Sequence, residues 1–288
     1  MVPFEFLVPY SIEEALSLLD AEDPGIRPVG GGTAVMLMMK AGVLRPTRLV
    51  SLHAVERRYT ELHVNASGAL VIGGLTRLST IENDADVKRG WPMLARTMRT
   101  LSNVRVRSVA TIGGGLAHAD PHMDLPPVLS ALGAIVSISG PHGTRSVPAA
   151  DLCTGYYETV VARNELITAV TVPAQPSHTA YMKVTTRASH DWPALGLALA
   201  MDVRDNVISK ANVYIGAATD RPTRLTAAQA VLDGAAIEDA TLLRAGEAGV
   251  QEVDLIGDQH GSAAYKRQLL KVMLGRAVRL AVQSRSAS

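Results

Sequence analysis

Hydrophobic positions open the chain in a helical rhythm. Ile12, Ala15, Leu16 and Leu19 fall on one face. Ser11-Ile12-Glu13-Glu14 reads as a capping box, with Ser11 as N-cap and Glu14 at N3. Pro24-Gly25 ends that helix. A short apolar strand, Ile26 to Val29, runs directly into Gly30-Gly31-Gly32-Thr33, and a second helical pattern covers Ala34 to Lys40. With a strand around Arg48–Leu52, the opening stretch reads as a small β–α–β–α–β unit.

The rhythm then turns to strands and short helices. Ala69 to Gly74 carries a buried-strand signal, and a helix at about Pro92–Leu101 opens with Pro at a favoured first position. A second glycine cluster, Ser108 to Gly115, follows. Ala134–Ser139 and Arg145–Val147 read as a hairpin turned by Pro141-His142-Gly143. Two prolines in Pro173-Ala174-Gln175-Pro176 mark the clearest boundary. Beyond it come strands at Tyr181–Thr185, Leu195–Val203 and Val207–Ile215. Thr226-Ala227-Ala228-Gln229 is a second capping-box candidate with Gly234 as C′. Ser262–Val282 reads as a long amphipathic helix with Tyr265, Leu269, Val272, Met273 and Leu280 inward. The expected class is α+β in two units, broadly 1–173 and 178–288.

Composition narrows the function. The 288 residues carry 28 Lys+Arg against 27 Asp+Glu, a net charge of +1, which argues against a dedicated nucleic-acid binder. The single Cys153 forms no disulfide framework and holds no iron–sulfur cluster; it reads as a buried, inert thiol. Neither a signal peptide nor a run long enough for a membrane span is visible, so the expectation is a soluble cytoplasmic protein.

The glycine clusters carry the chemistry. Phosphates need backbone amides aimed at them and no Cβ in the way. GGGT at 30–33 stands between a strand and a helix, where amides and a helix N-terminus hold an anion. It lacks the P-loop Lys and the Rossmann spacing. TIGGG at 111–115 repeats the device, and Asp124 thirteen residues after Thr111 is placed to accept the hydroxyls of a ribose. Two such loops and one acid suit a pyrophosphate-bridged dinucleotide. His118, Asp120, His122 and Asp124 alternate as metal ligands would, but Pro121 and Pro126 break the strand that spacing needs. The two histidines therefore read as solvated or backbone-bonded loop residues, with no metal expected. The basic cluster Arg96, Arg99, Arg105 and Arg107 reads as a solvated face.

These motifs carry a family resemblance. FEFLVPYSIEEALSLL, RPVGGGTAVMLMMK, SVATIGGGLAHADPHMDLPPVLSALGA, DLCTGYYETVVARNELITAVTVP and SAAYKRQLLKVMLGRAV make the chain similar to the FAD-binding medium subunits of molybdenum hydroxylases. That group contains carbon monoxide dehydrogenase, nicotine and quinoline dehydrogenases and the flavin domain of xanthine dehydrogenase. The resemblance spans essentially the whole chain. It implies a two-part FAD-binding domain of the vanillyl-alcohol-oxidase/PCMH type over 1–173, with subdomains at about 1–55 and 56–173. A C-terminal three-stranded sheet with helices would follow over 178–288.

The resemblance further implies that Val29, Gly30, Gly31, Gly32, Thr33, Ala34 and Val35 wrap the pyrophosphate, and that Thr111, Gly113, Gly114 and Gly115 grip its other side. Asp124 would bind the ribose, and Leu101 and Ile167 would line the site. Lys183 would lie beside the isoalloxazine ring, with Trp192 near it. Ala34 and Gly115 stand where relatives usually have Ser or Asp and Asn. The implied function is electron relay without a catalytic acid or base. A large molybdenum subunit and a small [2Fe–2S] subunit would be partners in a dimer of heterotrimers. Two rival readings are a stand-alone flavin oxidoreductase using His190 or Tyr156, and an assembly module without flavin.

Overall fold

The computed structural model describes residues 3–285. The first unit contains β1 (Glu5–Leu7), α1 (Ile12–Ser17), β2 (Ile26–Val29), α2 (Thr33–Lys40) and β3 (Arg48–Ser51). Its strands form a parallel sheet in the order β1-β3-β2. Ser11 Oγ accepts from the Glu14 amide at 3.0 Å, as a capping box requires, while the Glu14 carboxylate reaches back to the amide of Tyr10 at 2.7 Å. Ile12, Ala15 and Leu19 close onto Ile26, Val50 and Leu52 to form a small core.

The second unit starts with β4 (Leu62–Val64) and β5 (Leu70–Gly73). A run of short helices follows: α3 (Leu78–Asn83), α4 (Ala85–Gly90), α5 (Pro92–Thr100), α6 (Val104–Arg107), α7 (Ile112–His118) and α8 (Leu125–Ala131). Then come β6 (Ile135–Gly140), β7 (Gly143–Pro148), the small pair β8 (Cys153–Gly155) and β9 (Glu158–Thr159), and β10 (Leu166–Val172). The sheet is antiparallel in the order β4-β5-β10-β6-β7, with β6 and β7 forming the hairpin expected from the sequence. Every residue of α8 is buried, which its unbroken apolar run LPPVL dictates.

The third unit has β11 (His178–Val184), β12 (Leu195–Arg204), β13 (Val207–Gly216) and a two-residue β14 (Thr223–Arg224) in one antiparallel sheet. The short β14 adds a fourth strand to the three expected. α9 (Thr226–Leu232) and α11 (Ala263–Arg285) pack on this sheet, and α10 (Asp239–Gln251) packs on both helices. α8 lies between its own sheet and the face of β12 and β13, so the second and third units share a packed boundary.

Two helix expectations are corrected. The inner face of α11 is Leu270, Leu274, Ala277, Val278 and Ala281, whereas Tyr265, Val272 and Leu280 are exposed. Leu269 and Met273 of the expected stripe pack partly buried against the same core. Thr226 is not an N-cap either. Leu225 occupies that position, and the Glu252 carboxylate at the end of α10 accepts from the amides of Ala227 (2.8 Å) and Ala228 (3.2 Å). Gly234 does take the left-handed conformation of a C′ residue, at φ +79°.

Candidate functional site

Both glycine clusters lie together at the junction of the first and second units. A Cβ on Gly31 would stand 2.0 Å from Val109 O, and one on Gly30 would stand 2.7 Å from Thr111 Oγ1. A Cβ on Gly74 would fall 2.1 Å from Ile167 O, and one on Gly113 would fall 2.7 Å from Gly74 O. These four approaches, three of them to backbone and the fourth to the Thr111 hydroxyl, bring the β2–α2 loop, the turn before α7, the end of β5 and β10 into contact that a Cβ would prevent.

The two loops differ in what they leave free. At α7 the amides are spent within the chain. Ile112 donates to Thr76 O (3.1 Å), Gly113 to Gly74 O (2.8 Å), Gly114 to Thr111 Oγ1 (3.2 Å) and Gly115 to Thr111 O (2.9 Å). At α2 the helix begins on Gly32, at φ +71° and without a side-chain cap, and its first accepted amide is that of Met36, to Gly32 O. Among the described residues nothing accepts from the amides of Thr33, Ala34 and Val35. A helix N-terminus with open amides, no side-chain cap and no acidic residue in its first turn is an anion cradle. Arg27 on β2 has a buried Nε with no acceptor among the described residues.

A second group forms where α8 meets β11. Asp124, just 4 % exposed, accepts from Tyr181 Oη at 2.5 Å through Oδ1 and from Lys183 Nζ at 2.9 Å through Oδ2. Lys183 also donates to Thr100 O at 2.8 Å, the carbonyl preceding Leu101. Burial raises the Asp124 carboxyl above its ordinary value, opposed by the charge of Lys183 and the hydrogen bonds from Tyr181 and Lys183. Burial and the Asp124 charge push the Tyr181 phenol well above the usual tyrosine range, so it serves as donor.

Between the groups, the loop Ala119–Met123 is pinned to the third unit. His122 Nε2 lies 2.8 Å from Asp258 Oδ2 and its Nδ1 lies 3.2 Å from Asp120 Oδ1. Lys266, fully buried, donates to Asp258 Oδ2 (2.6 Å) and Ala217 O (2.7 Å). Tyr157 donates to Asp120 Oδ2 at 3.1 Å, and the Trp192 ring stacks at 6.1 Å from that of His122. Burial disfavours the His122 imidazolium, but the two carboxylates outweigh it and raise its pKa.

Residues 2–175 match the family described as FAD binding domain in molybdopterin dehydrogenase, and residues 180–281 match the CO dehydrogenase flavoprotein C-terminal domain. The chain belongs to this flavoprotein family. It is 31 % identical over 94 % of its length to the glyceraldehyde dehydrogenase medium chain of Sulfolobus acidocaldarius, covering 95 % of that chain. It is 30 % identical to the nicotine 6-hydroxylase medium subunit of Paenarthrobacter nicotinovorans, covering 94 % of both. Among solved structures it is similar to carbon monoxide dehydrogenase from Hydrogenophaga pseudoflava, with TM-score 0.93, 29 % identity and 98 % and 99 % of the two chains covered. Quinoline 2-oxidoreductase from Pseudomonas putida 86 gives TM-score 0.92 at 26 % identity, with 99 % and 98 % covered. As an FAD-binding medium subunit of the molybdenum hydroxylase family, the chain has FAD as its cofactor and is a flavoprotein oxidoreductase component.

For a flavoprotein of this family the candidate residues fall into three neighbourhoods. Val29, Gly30, Gly31, Gly32, Thr33, Ala34 and Val35 form the open-amide loop, with Thr111 directly behind Gly30, while Gly113 and Ile167 meet at Gly74. Gly114 continues the first turn of α7, and a Cβ on Gly115 would stand 3.1 Å from Met123 Cε, linking α7 to the loop that leads into Asp124. Lys183 joins Asp124 to the Thr100 carbonyl beside Leu101, and Trp192 is 47 % exposed beside His122.

Other expectations change. His118 and His122 are not solvated loop residues: both are largely buried, and His122 is the centre of a carboxylate pair. Arg107 is not part of a solvated face. It is buried, donates to Glu82 Oε2 at 2.7 Å and caps the carbonyls of Leu101 (3.2 Å) and Ser102 (2.8 Å). Cys153 is buried, and burial pushes its thiol up to about 11. His190 and Tyr156 are exposed. The sequence reading passed over Asp258 and Lys266. Their spacing of eight residues, across a loop and into a helix, carries no local signal. It also passed over Gly74, whose signal was a second adjacent glycine at a strand end.

Proposed function

We propose that this chain is the FAD-carrying electron-transfer subunit of a heterotrimeric molybdenum hydroxylase. In this reading a large subunit holds the molybdenum cofactor and hydroxylates an N-heteroaromatic compound, an aldehyde or carbon monoxide. Two [2Fe–2S] clusters on a small subunit deliver the electrons here, and an external acceptor removes them. The complex is a dimer of heterotrimers in the cytoplasm. The relatives' names support the reading, since they are medium chains or subunits of enzymes that act on glyceraldehyde, nicotine and carbon monoxide. No helix among the described residues is long and apolar enough to cross a membrane.

The observation that carries the proposal is the contrast between the glycine loops. Thr33, Ala34 and Val35 present free amides behind three glycines, and no acidic side chain competes for them. This cradle fits a diphosphate. Gly113, Gly114 and Gly115 spend their amides at home, so with Thr111 they bound the site by shape rather than by donating. Asp124 accepts the ribose hydroxyls, Leu101 and Ile167 line the cleft, and Lys183 and Trp192 flank the ring. Bound FAD supplies the redox chemistry. The chain positions it, limits water around it and needs no acid or base of its own. The chain divides into a cofactor part over 1–173, itself split near residue 55, and a C-terminal part over 178–288.

The test uses the purified complex under anaerobic conditions. Substrate should bleach the flavin absorption band, and acid should release one FAD per copy of this chain. Complex prepared without this chain should still reduce its iron–sulfur clusters but fail to reduce the external acceptor. Acceptor reduction at the full rate without this chain would refute the proposal.

A further inference from the structure

Asp124 is gripped at both oxygens from one strand. Tyr181 and Lys183 are two residues apart on β11, so they project from the same face toward the start of α8. The two donors are not equivalent. Lys183 is a flexible point charge that also serves Thr100 O, so it neutralises the carboxylate without fixing its plane. Tyr181 is a rigid ring packed against the central core, and its hydroxyl makes the shorter bond, 2.5 Å against 2.9 Å.

The neighbouring strand makes room for that hydroxyl. Gly196 on β12 pairs with Lys183 in the sheet register, and a Cβ there would stand 2.6 Å from Tyr181 Oη. A glycine inside a strand weakens it and marks a close approach. Here the close approach is that of the Tyr181 hydroxyl.

We propose that Tyr181 is a positioning residue for Asp124, its hydroxyl fixing the carboxylate so that the remaining lone pairs of that group face the ribose hydroxyls of the cofactor. The inference rests on the reading of Asp124 as the ribose acceptor. Tyr181 keeps its proton, so it donates to Asp124, and the carboxylate has only acceptor capacity left for the ligand. The ionisable groups facing Asp124 are Lys183 and Tyr181, both from β11, and the N-terminus of α8 adds its dipole. Hydrogen bonding to a charged carboxylate favours its ionised form, so loss of the Tyr181 hydroxyl raises the pH at which Asp124 takes a proton.

The experiment titrates FAD into deflavinated complex carrying wild-type chain, Asp124→Asn, Tyr181→Phe or Gly196→Ala, across acidic to neutral pH. Tyr181→Phe keeps the ring and is expected to weaken FAD binding about tenfold at neutral pH, the scale of one hydrogen bond to a charged group. The acidic fall-off in affinity should also move to higher pH. Gly196→Ala, which displaces the hydroxyl without deleting it, should do the same. Unchanged affinity in Asp124→Asn would overturn the underlying reading of Asp124. Weakened binding in Asp124→Asn with a wild-type profile in Tyr181→Phe would overturn the role of Tyr181 alone. A loss of equal size at every pH, with no shift of the acidic limb, would overturn it too, since a packing defect alone would produce that result.

Discussion

His122 and Asp258 meet at 2.8 Å, Nε2 to Oδ2, across the boundary between the cofactor part and the C-terminal part of the chain. The other ring nitrogen faces Asp120 at 3.2 Å, so the imidazole satisfies both carboxylates only when both nitrogens carry protons. Lys266 behind Asp258 and Tyr157 beside Asp120 complete the cluster, and the rings of Trp192 and His260 pack on the imidazole.

This clasp sets a direction for stability against pH. The His122 pKa is raised from 6.5 in the folded chain, so its contribution is fully present below about pH 6.5 and is lost as pH rises through the folded value. Asp258 moves the other way. Burial pushes it up, but Lys266, His122 and the His260 amide bring it down to about 2, so its contribution disappears only in strong acid. Thermal melts of the wild-type chain from pH 6 to 9 should show a falling Tm, and His122→Gln should flatten that slope. Parallel slopes would show that the clasp does not titrate.

Lys183→Met should cost about 3–5 kcal/mol, because it leaves the buried Asp124 carboxylate without its cation. Lys183→Met combined with Asp124→Leu should recover much of that loss in chemical denaturation while leaving FAD binding impaired. Equal stability of the single and double variants would show that the pair is not coupled.

The glycines should sort by what their Cβ would meet. Gly31→Ala drives a methyl group into the Val109 carbonyl and should destabilise the chain by about 3 kcal/mol. Gly115→Ala meets only the flexible end of Met123 inside a helix and should stabilise by about 0.5–1 kcal/mol. Urea denaturation of the two variants checks both signs.

The contrast between Gly31 and Gly115 also shows why part of the site was legible in the sequence and part was not. Runs of glycine next to a strand and a helix announced both loops, and Ser11, Pro92 and the Ala134–Val147 hairpin carried their own local signals. Local pattern does not reveal which amides remain free, because the partners of the Ile112 and Gly113 amides, Thr76 and Gly74, lie far back in the chain. The His122 clasp was hidden for the same reason: Asp258 is 136 residues away. Lys266 and Arg107 look like surface cations until the fold buries them against carbonyls and carboxylates. Apolar residues spread around much of α11, so its pattern alone does not single out Leu270, Leu274 and Val278 as the inner face.

The central claim is that the start of α2 holds the diphosphate, and Thr33→Asp tests it most directly. An acidic residue in the first turn of a helix supports the helix, so stability should hold or rise slightly. The same carboxylate would occupy the field of the free amides of Ala34 and Val35 and repel a diphosphate. Titration of FAD into the deflavinated variant should show affinity lowered tenfold or more, with an unchanged or higher Tm. A variant that binds FAD as tightly as the wild type would place the diphosphate elsewhere and contradict the account.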